Sequence, residues 1–141
     1  MECEFPKQNA TTAEIAEILK QYKSIAVVGL SDKPDRPSFG VSAYMQQHGY
    51  KITPVNPMLK GPVLGETSYA HLKDVPGPLE IVNIFRKPED VPPIVEEAIA
   101  KGAKVIWMQE GIVNNVAADR ARAAGLKVVM NKCLLKEHRV L

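Results

Sequence analysis

The sequence predicts an α/β fold, a Rossmann-like three-layer domain built on a five-stranded parallel sheet and preceded by an N-terminal helix. Three observations predict it. Five short apolar runs, each bounded by glycine, proline or asparagine, read as buried strands. Segments with apolar residues at helical spacing alternate with them, and the repeat of about 25 residues is that of a βαβ unit. A crossover between parallel strands is right-handed, so such units lay helices on both faces of the sheet. The expected strand order is 3-2-1-4-5, with a ligand crevice outside the carboxyl ends of the strands where the order reverses. Residues 1–141 are expected to form this one domain.

Taken in order, Thr11-Thr12-Ala13-Glu14 offers a capping box, and Ile15, Ile18, Leu19 and Tyr22 share one face of a helix over 12–22. Ser24-Ile25-Ala26-Val27-Val28-Gly29 is the first strand. Leu30 to Pro37 is a polar loop with two prolines, and Ser38 is expected to cap a helix carrying Val41, Tyr44, Met45 and His48 on one face until Gly49 stops it. Tyr50 to Val55 forms the second strand, Pro57 to Gly65 a loop, and Tyr69 to Leu72 a short helical turn. After the break Pro76-Gly77-Pro78, Glu80 to Phe85 forms the third strand. Glu89 and Asp90 open a helix with Ile94, Val95, Ala98 and Ile99 inward and Gly102 as its stop. Ala103 to Met108 is the fourth strand. Asn114 or Asn115 caps a helix through Ala124, and Leu126 to Met130 is the fifth strand. From Asn131 the chain reads as a short, partly charged tail.

Composition narrows the function classes. With 45% hydrophobic and 24% charged residues among 141, the chain has the makeup of a globular protein large enough for a core. A net charge of +2, with no Lys/Arg run interleaved with aromatics, argues against nucleic acid as partner. No stretch approaches about 18 apolar residues, and the start Met1-Glu2-Cys3-Glu4 is acidic where a signal peptide is basic, so no membrane role is expected. Cys3 and Cys133 are expected as reduced thiols in the cytoplasm.

The rule of the carboxyl edge turns the linear sequence into a site. Gly29-Leu30-Ser31, Asn56-Pro57, Arg86, Gln109-Glu110-Gly111 and Asn131-Lys132-Cys133 follow the five strands in turn. Lys33, Arg36, Pro37 and Ser38 lead into a helix N-terminus, with Phe39 and Gly40 behind, an arrangement suited to phosphate or pyrophosphate. Each residue alone has a plainer role as strand end, cap or loop former. Their convergence on one edge is what points to a ligand. A nicotinamide dinucleotide calls for G-x-G-x-x-G and a carboxylate ending the second strand. This chain has Gly29-Leu30-Ser31 and Val55-Asn56-Pro57 there instead.

The pattern resembles the small stand-alone CoA-binding proteins, similar in fold to the CoA-binding N-terminal domain of the succinyl-CoA synthetase α subunit. The segments that carry the resemblance span nearly the whole chain: Val27 to Ser31, Arg36 to Val41, Gly49-Tyr50 with Pro54 to Pro57, Phe85 to Glu89, Trp107 to Ile112, and Asn131 to Cys133. The resemblance implies coenzyme A across the strand ends, with Gly29 to Ser31 and Asn56-Pro57 near the nucleotide, and Phe85, Arg86 and Gln109 to Ile112 on the other side. Met108, Gly111 and Ile112 belong to that expected site. A pyrophosphate and a 3′-phosphate suit a rim of five cations, Lys33, Arg36, Lys60, Arg86 and Lys132, of which Arg36 and Arg86 are the preferred contacts for their planar forks. Phe85 and Trp107 read first as core.

Catalytic candidates are fewer. Cys133 with Glu137 and His138 lacks a zinc spacing and two further ligands, and His48 and His71 have no visible partner. The related synthetase uses a second domain bearing a phosphorylated histidine, so the resemblance implies no acyl-CoA ligation by this chain alone. The expected function is a binding or regulatory module for coenzyme A or an acyl-CoA. Its rivals are an enzyme acting on an acyl-CoA thioester through Cys133 and an NAD(P)-binding sensor. The protein partner is open, and a homodimer rests on the base rate for small proteins.

Overall fold

A computed structural model describes residues 4–141, so Cys3 and the rest of the acidic start, Met1 and Glu2, lie outside the described residues. Helix α1 (Thr12–Gln21) begins with the predicted capping box: the Thr11 hydroxyl accepts from the Glu14 N–H, and the Glu14 carboxylate accepts from the Thr11 N–H. There follow β1 (Ser24–Val28), α2 (Pro37–Gln47), β2 (Lys51–Val55), β3 (Ile81–Ile84), α3 (Val91–Ala100), β4 (Val105–Met108), α4 (Asn115–Ala123), β5 (Lys127–Val129) and α5 (Leu134–Arg139). All five strands are parallel, and helices cover both faces. None of the helices among the described residues is long and apolar enough to cross a membrane.

The α/β class holds, but the strand order is 2-1-3-4-5 rather than the expected 3-2-1-4-5. Pro54 supplies the physical reason. Proline has no N–H to donate, so a strand containing it belongs at a sheet edge. In the order 3-2-1, β2 would be flanked on both sides. Here it pairs with β1 alone, through the register Val27 to Pro54, and Pro54 turns its nitrogen and carbonyl to the free edge. The Tyr69 N–H donates to that carbonyl, and the Asn56 N–H donates to the Tyr69 carbonyl, so Tyr69 blunts the edge. The expected helical turn at Tyr69 to Leu72 is displaced to a 3₁₀ turn at Leu72–Asp74. The strand β3, buried at all four positions, takes the central place.

Alternation along the strands divides the core. Ala26, Val28, Val82, Ile84, Ile106 and Met108 face α3 and α4. Ile25, Val27, Ile81, Trp107 and Val129 face α1, α2 and α5. Trp107 is fully buried, and its indole N–H donates to the Lys132 carbonyl at 2.8 Å, which satisfies the ring's only polar atom. The expected tail is instead α5, whose buried Leu134 closes the α2 side. Six residues with four charged or titratable side chains show little helical periodicity, which is why the sequence reads as a tail.

Candidate functional site

With the order 2-1-3-4-5 the reversal falls between β1 and β3, so the crevice opens at Gly29 and Phe85 rather than between the first and fourth strands. Gly29 has φ +92°, and its N–H donates to the Val55 carbonyl at 2.8 Å. The Phe85 N–H in turn donates to the Val28 carbonyl. A side chain at position 29 would place a Cβ 2.5 Å from the Phe85 carbonyl oxygen, so glycine is what lets the two strand ends close up.

Two cavities meet at this seam. One, of about 480 Å³, is lined by Gly29, Ser31, Lys33, Arg36, Ser38 and Asn56, with Met58 and Leu59 on its outer wall. The second, of about 730 Å³, is lined by Val41, Arg86, Gln109, Ile112, Cys133 and Lys136 among others. Pro37 and Phe85 line both, so the two form one cleft across the ends of β1, β3 and β4.

The loop after β1 is held by side chains of its neighbours. Ser38 does not cap α2 as expected. Arg36 occupies the cap position with Pro37 in the first turn, and the Ser38 hydroxyl accepts from the Ser31 N–H at 3.0 Å. The Lys33 N–H donates to the Ser31 hydroxyl. Asn56 donates to the Leu30 carbonyl at 3.1 Å and accepts from the Met58 N–H at 3.0 Å. It therefore ties the two loops together and has little left for a ligand.

Of the predicted site residues, Gly29, Ser31, Arg36, Pro37, Ser38, Asn56, Phe85, Arg86, Gln109, Ile112 and Cys133 line the cleft. Leu30 and Met108 sit beside it, but their side chains are fully buried in the core. Gly40, Pro57, Lys60, Gly111 and Asn131 are exposed outside the lining, although Asn131 accepts from the Gly111 N–H at 2.6 Å and so joins the fourth and fifth loops. The cationic rim changes with them. Lys60 and Lys132 leave it, while Lys87 and Lys136 enter. Lys136 reaches the cleft from α5, a helix with little helical periodicity in its sequence. Met58, 80% exposed, is a large apolar side chain on a polar loop, a signal the sequence carried.

The charges divide by cavity. Lys33 and Arg36, on the smaller cavity, make no ion pair among the described residues. On the larger one, Arg86 pairs with Asp90 at 3.2 Å and Lys136 with Glu110 at 2.9 Å. Cys133, 7% exposed, directly precedes α5, whose His138 Nδ1 shares a hydrogen bond with the Tyr44 hydroxyl at 2.8 Å rather than turning to the thiol. Burial, then His48 and Lys23 nearby, hold the His138 imidazole below its ordinary range, which favours the neutral ring.

A family model described as CoA binding domain matches residues 23–139. The chain is 46% identical over 133 residues to the protein YneT of Bacillus subtilis strain 168, covering 94% of this chain and 98% of that one. A hypothetical protein from Pyrococcus horikoshii OT3 has the same fold with a TM-score of 0.90 and 43% identity, covering 100% of this chain and 99% of that one. The α subunit of an ADP-forming acetate–CoA ligase I from Pyrococcus furiosus is 32% identical over 100 residues, which are 64% of this chain and 21% of the subunit.

Proposed function

Because the chain belongs to the CoA binding domain family, we propose that it binds coenzyme A in the cleft across β1, β3 and β4 and works as a binding or regulatory module without turnover of its own. The observation that carries this reading is the division of one cleft into two chemically different halves. Coenzyme A has a polyanionic nucleotide end and a flexible, mostly neutral pantetheine arm. The half around Ser31, Lys33 and Arg36 offers cations that make no ion pair among the described residues and the start of α2, the setting in which a phosphate gains most. The half around Val41, Ile112 and Cys133 sets apolar side chains beside charges that already neutralise one another, Arg86 with Asp90 and Lys136 with Glu110. The nucleotide belongs in the first and the arm in the second, with Phe85 at the junction. The proposed setting is the cytoplasm, where the ligand thiol and Cys133 both stay reduced.

Isothermal titration of the purified chain with coenzyme A, NAD and NADP tests the reading. Binding of coenzyme A and no heat from the dinucleotides is expected, and the reverse would replace the reading with that of a dinucleotide sensor. Incubation with acetyl-CoA is expected to release no free thiol above background. Release that disappears in Cys133→Ala would make the chain an enzyme.

A further inference from the structure

One wall of the larger half of the cleft is made by two helices that are joined, away from the cleft, by a histidine. Pro37 and Val41 of α2 and Lys136 of α5 line that half, with Cys133 directly before α5. Tyr44 stands one turn beyond Val41 in α2, and His138 one turn beyond Leu134 in α5. The 2.8 Å bond between the Tyr44 hydroxyl and His138 Nδ1 is the one side-chain hydrogen bond between these helices among the described residues. Helix α5 has six residues, too few to persist by propensity, so its place depends on such contacts. Beside this bond it has the buried Leu134 and the exposed pair of Lys136 with Glu110.

The groups packed on His138 from other elements are neutral or positive. From α2, His48 stacks on the Tyr44 ring at 4.0 Å between centroids and stands 5.1 Å from the His138 ring. Just before β2, Tyr50 meets His138 edge-on at 5.6 Å. Between α1 and β1, Lys23 lies over the Tyr50 ring and is anchored to the Leu19 carbonyl at 3.2 Å, which keeps its charge in place. Helix α1 also packs on α5, and neither of its carboxylates, Glu14 and Glu17, pairs with His138. Nor does Glu137, the preceding residue of α5. The Tyr44 hydroxyl is able to accept from an imidazolium, so the bond itself survives protonation. What opposes a proton is the cost of a half-buried charge between His48 and Lys23, a cost that falls if α5 carries the ring out into water.

We propose that the contact of His138 with Tyr44 is a proton-operated clasp on the cleft: neutral, it holds α5 against α2 and completes the wall of the larger half, and charged, it lets α5 move away, so that ligand binds less tightly in acid. The inference rests on the coenzyme A reading above. Burial, His48 and Lys23 set proton uptake by the closed clasp below 6.5. The clasp is therefore closed at neutral pH and opens as pH falls through the lowered value, and ligand, which favours the closed form, binds more tightly as pH rises through that window.

Titration calorimetry with coenzyme A at pH 7.5 and 5.0, on the native chain and on His138→Asn, tests this. The asparagine amide is able to meet the Tyr44 hydroxyl and takes up no proton. A phosphate monoester such as that of coenzyme A itself titrates near about pH 6, so the comparison between the two chains, and not the fall in either, is the readout. The native chain is expected to lose about fivefold more affinity than the variant between the two pH values, the lower end of couplings between distinct sites. Equal losses would overturn the proposal and leave the coenzyme A reading standing. Hydrogen exchange of the native chain without ligand serves if the variant fails to fold. Corrected for the intrinsic rate, the α5 amides are expected to lose protection relative to those of α4 at pH 5.0, and unchanged relative protection would overturn the clasp. Absence of binding by the native chain at pH 7.5 would overturn the coenzyme A reading, and the exchange experiment would still decide whether α5 opens.

Discussion

Gly29 and Phe85 approach so closely that a Cβ on the first would lie 2.5 Å from the carbonyl oxygen of the second. The obstacle is backbone, held in the central strand ladder, so it has no cheap way to move. Gly29→Ala meets this obstacle and a φ of +92° together. Each strained feature costs on the order of 1–3 kcal/mol, and the variant is expected to lose about 3 kcal/mol of stability by urea denaturation, along with ligand binding. A loss below about 1 kcal/mol would mean that the strand ends part easily.

Arg36 has no ion pair among the described residues, whereas Arg86 already faces Asp90 at 3.2 Å. Arg36→Ala is therefore expected to weaken coenzyme A binding about tenfold, the loss of one charge-assisted hydrogen bond. Arg86→Ala is expected to weaken it less, and Asp90→Asn, which frees Arg86, to strengthen it. All three should leave the melting temperature nearly unchanged, since an exposed pair contributes about 0–1 kcal/mol. Titration calorimetry beside thermal melts checks both halves, and an unchanged affinity in Arg36→Ala would make that rim ordinary surface.

Cys133 lines the cleft although it is 7% exposed. In a Cys3→Ser background, its reaction with an aromatic disulfide reagent is expected to be slow and to slow further with saturating coenzyme A, because reactivity follows access. A rate indifferent to the ligand would place the pantetheine arm elsewhere.

His138 ties α5 to α2 through Tyr44, with His48 and Tyr50 packed beside it and Lys23 over the Tyr50 ring. Burial, His48 and Lys23 lower its proton affinity from the ordinary value of 6.5. The folded chain then binds fewer protons than the unfolded one, so stability rises with pH through this window. The contribution is complete above 6.5 and is lost as pH falls from there through the lower folded value. Melts from pH 7.5 to 5 are expected to fall in the native chain and to fall less in His138→Phe. Equal slopes would show that other groups govern the acid limb.

Asn83→Val removes a buried oxygen with no partner among the described residues and buries an apolar side chain instead, against the loss of two long bonds to Gln109 and to the Trp107 carbonyl, so gain and loss nearly cancel. Urea midpoints are expected to shift by no more than about 1 kcal/mol in stability. A loss above about 3 kcal/mol would make the two bonds of Asn83 a structural keystone of β3 and β4.

The α/β class, the capping box at Thr11 and the sheet edge along which the candidate cleft opens were all readable in the chain, because they depend on short-range periodicity and on residues that punctuate it. Even the edge position of β2 was written there, since Pro54 cannot serve a strand paired on both sides. What only the tertiary structure decided depends on partners distant in sequence. Ser38 looked like a cap until the Ser31 N–H claimed it, Leu30 and Met108 turned into the core, and the tail became a helix because Leu134 and His138 found α2. The meeting of Gly29 with Phe85 lies in the same class. A strand order is a choice among pairings separated by tens of residues, and local sequence signals carry no direct record of which pairing buries the most.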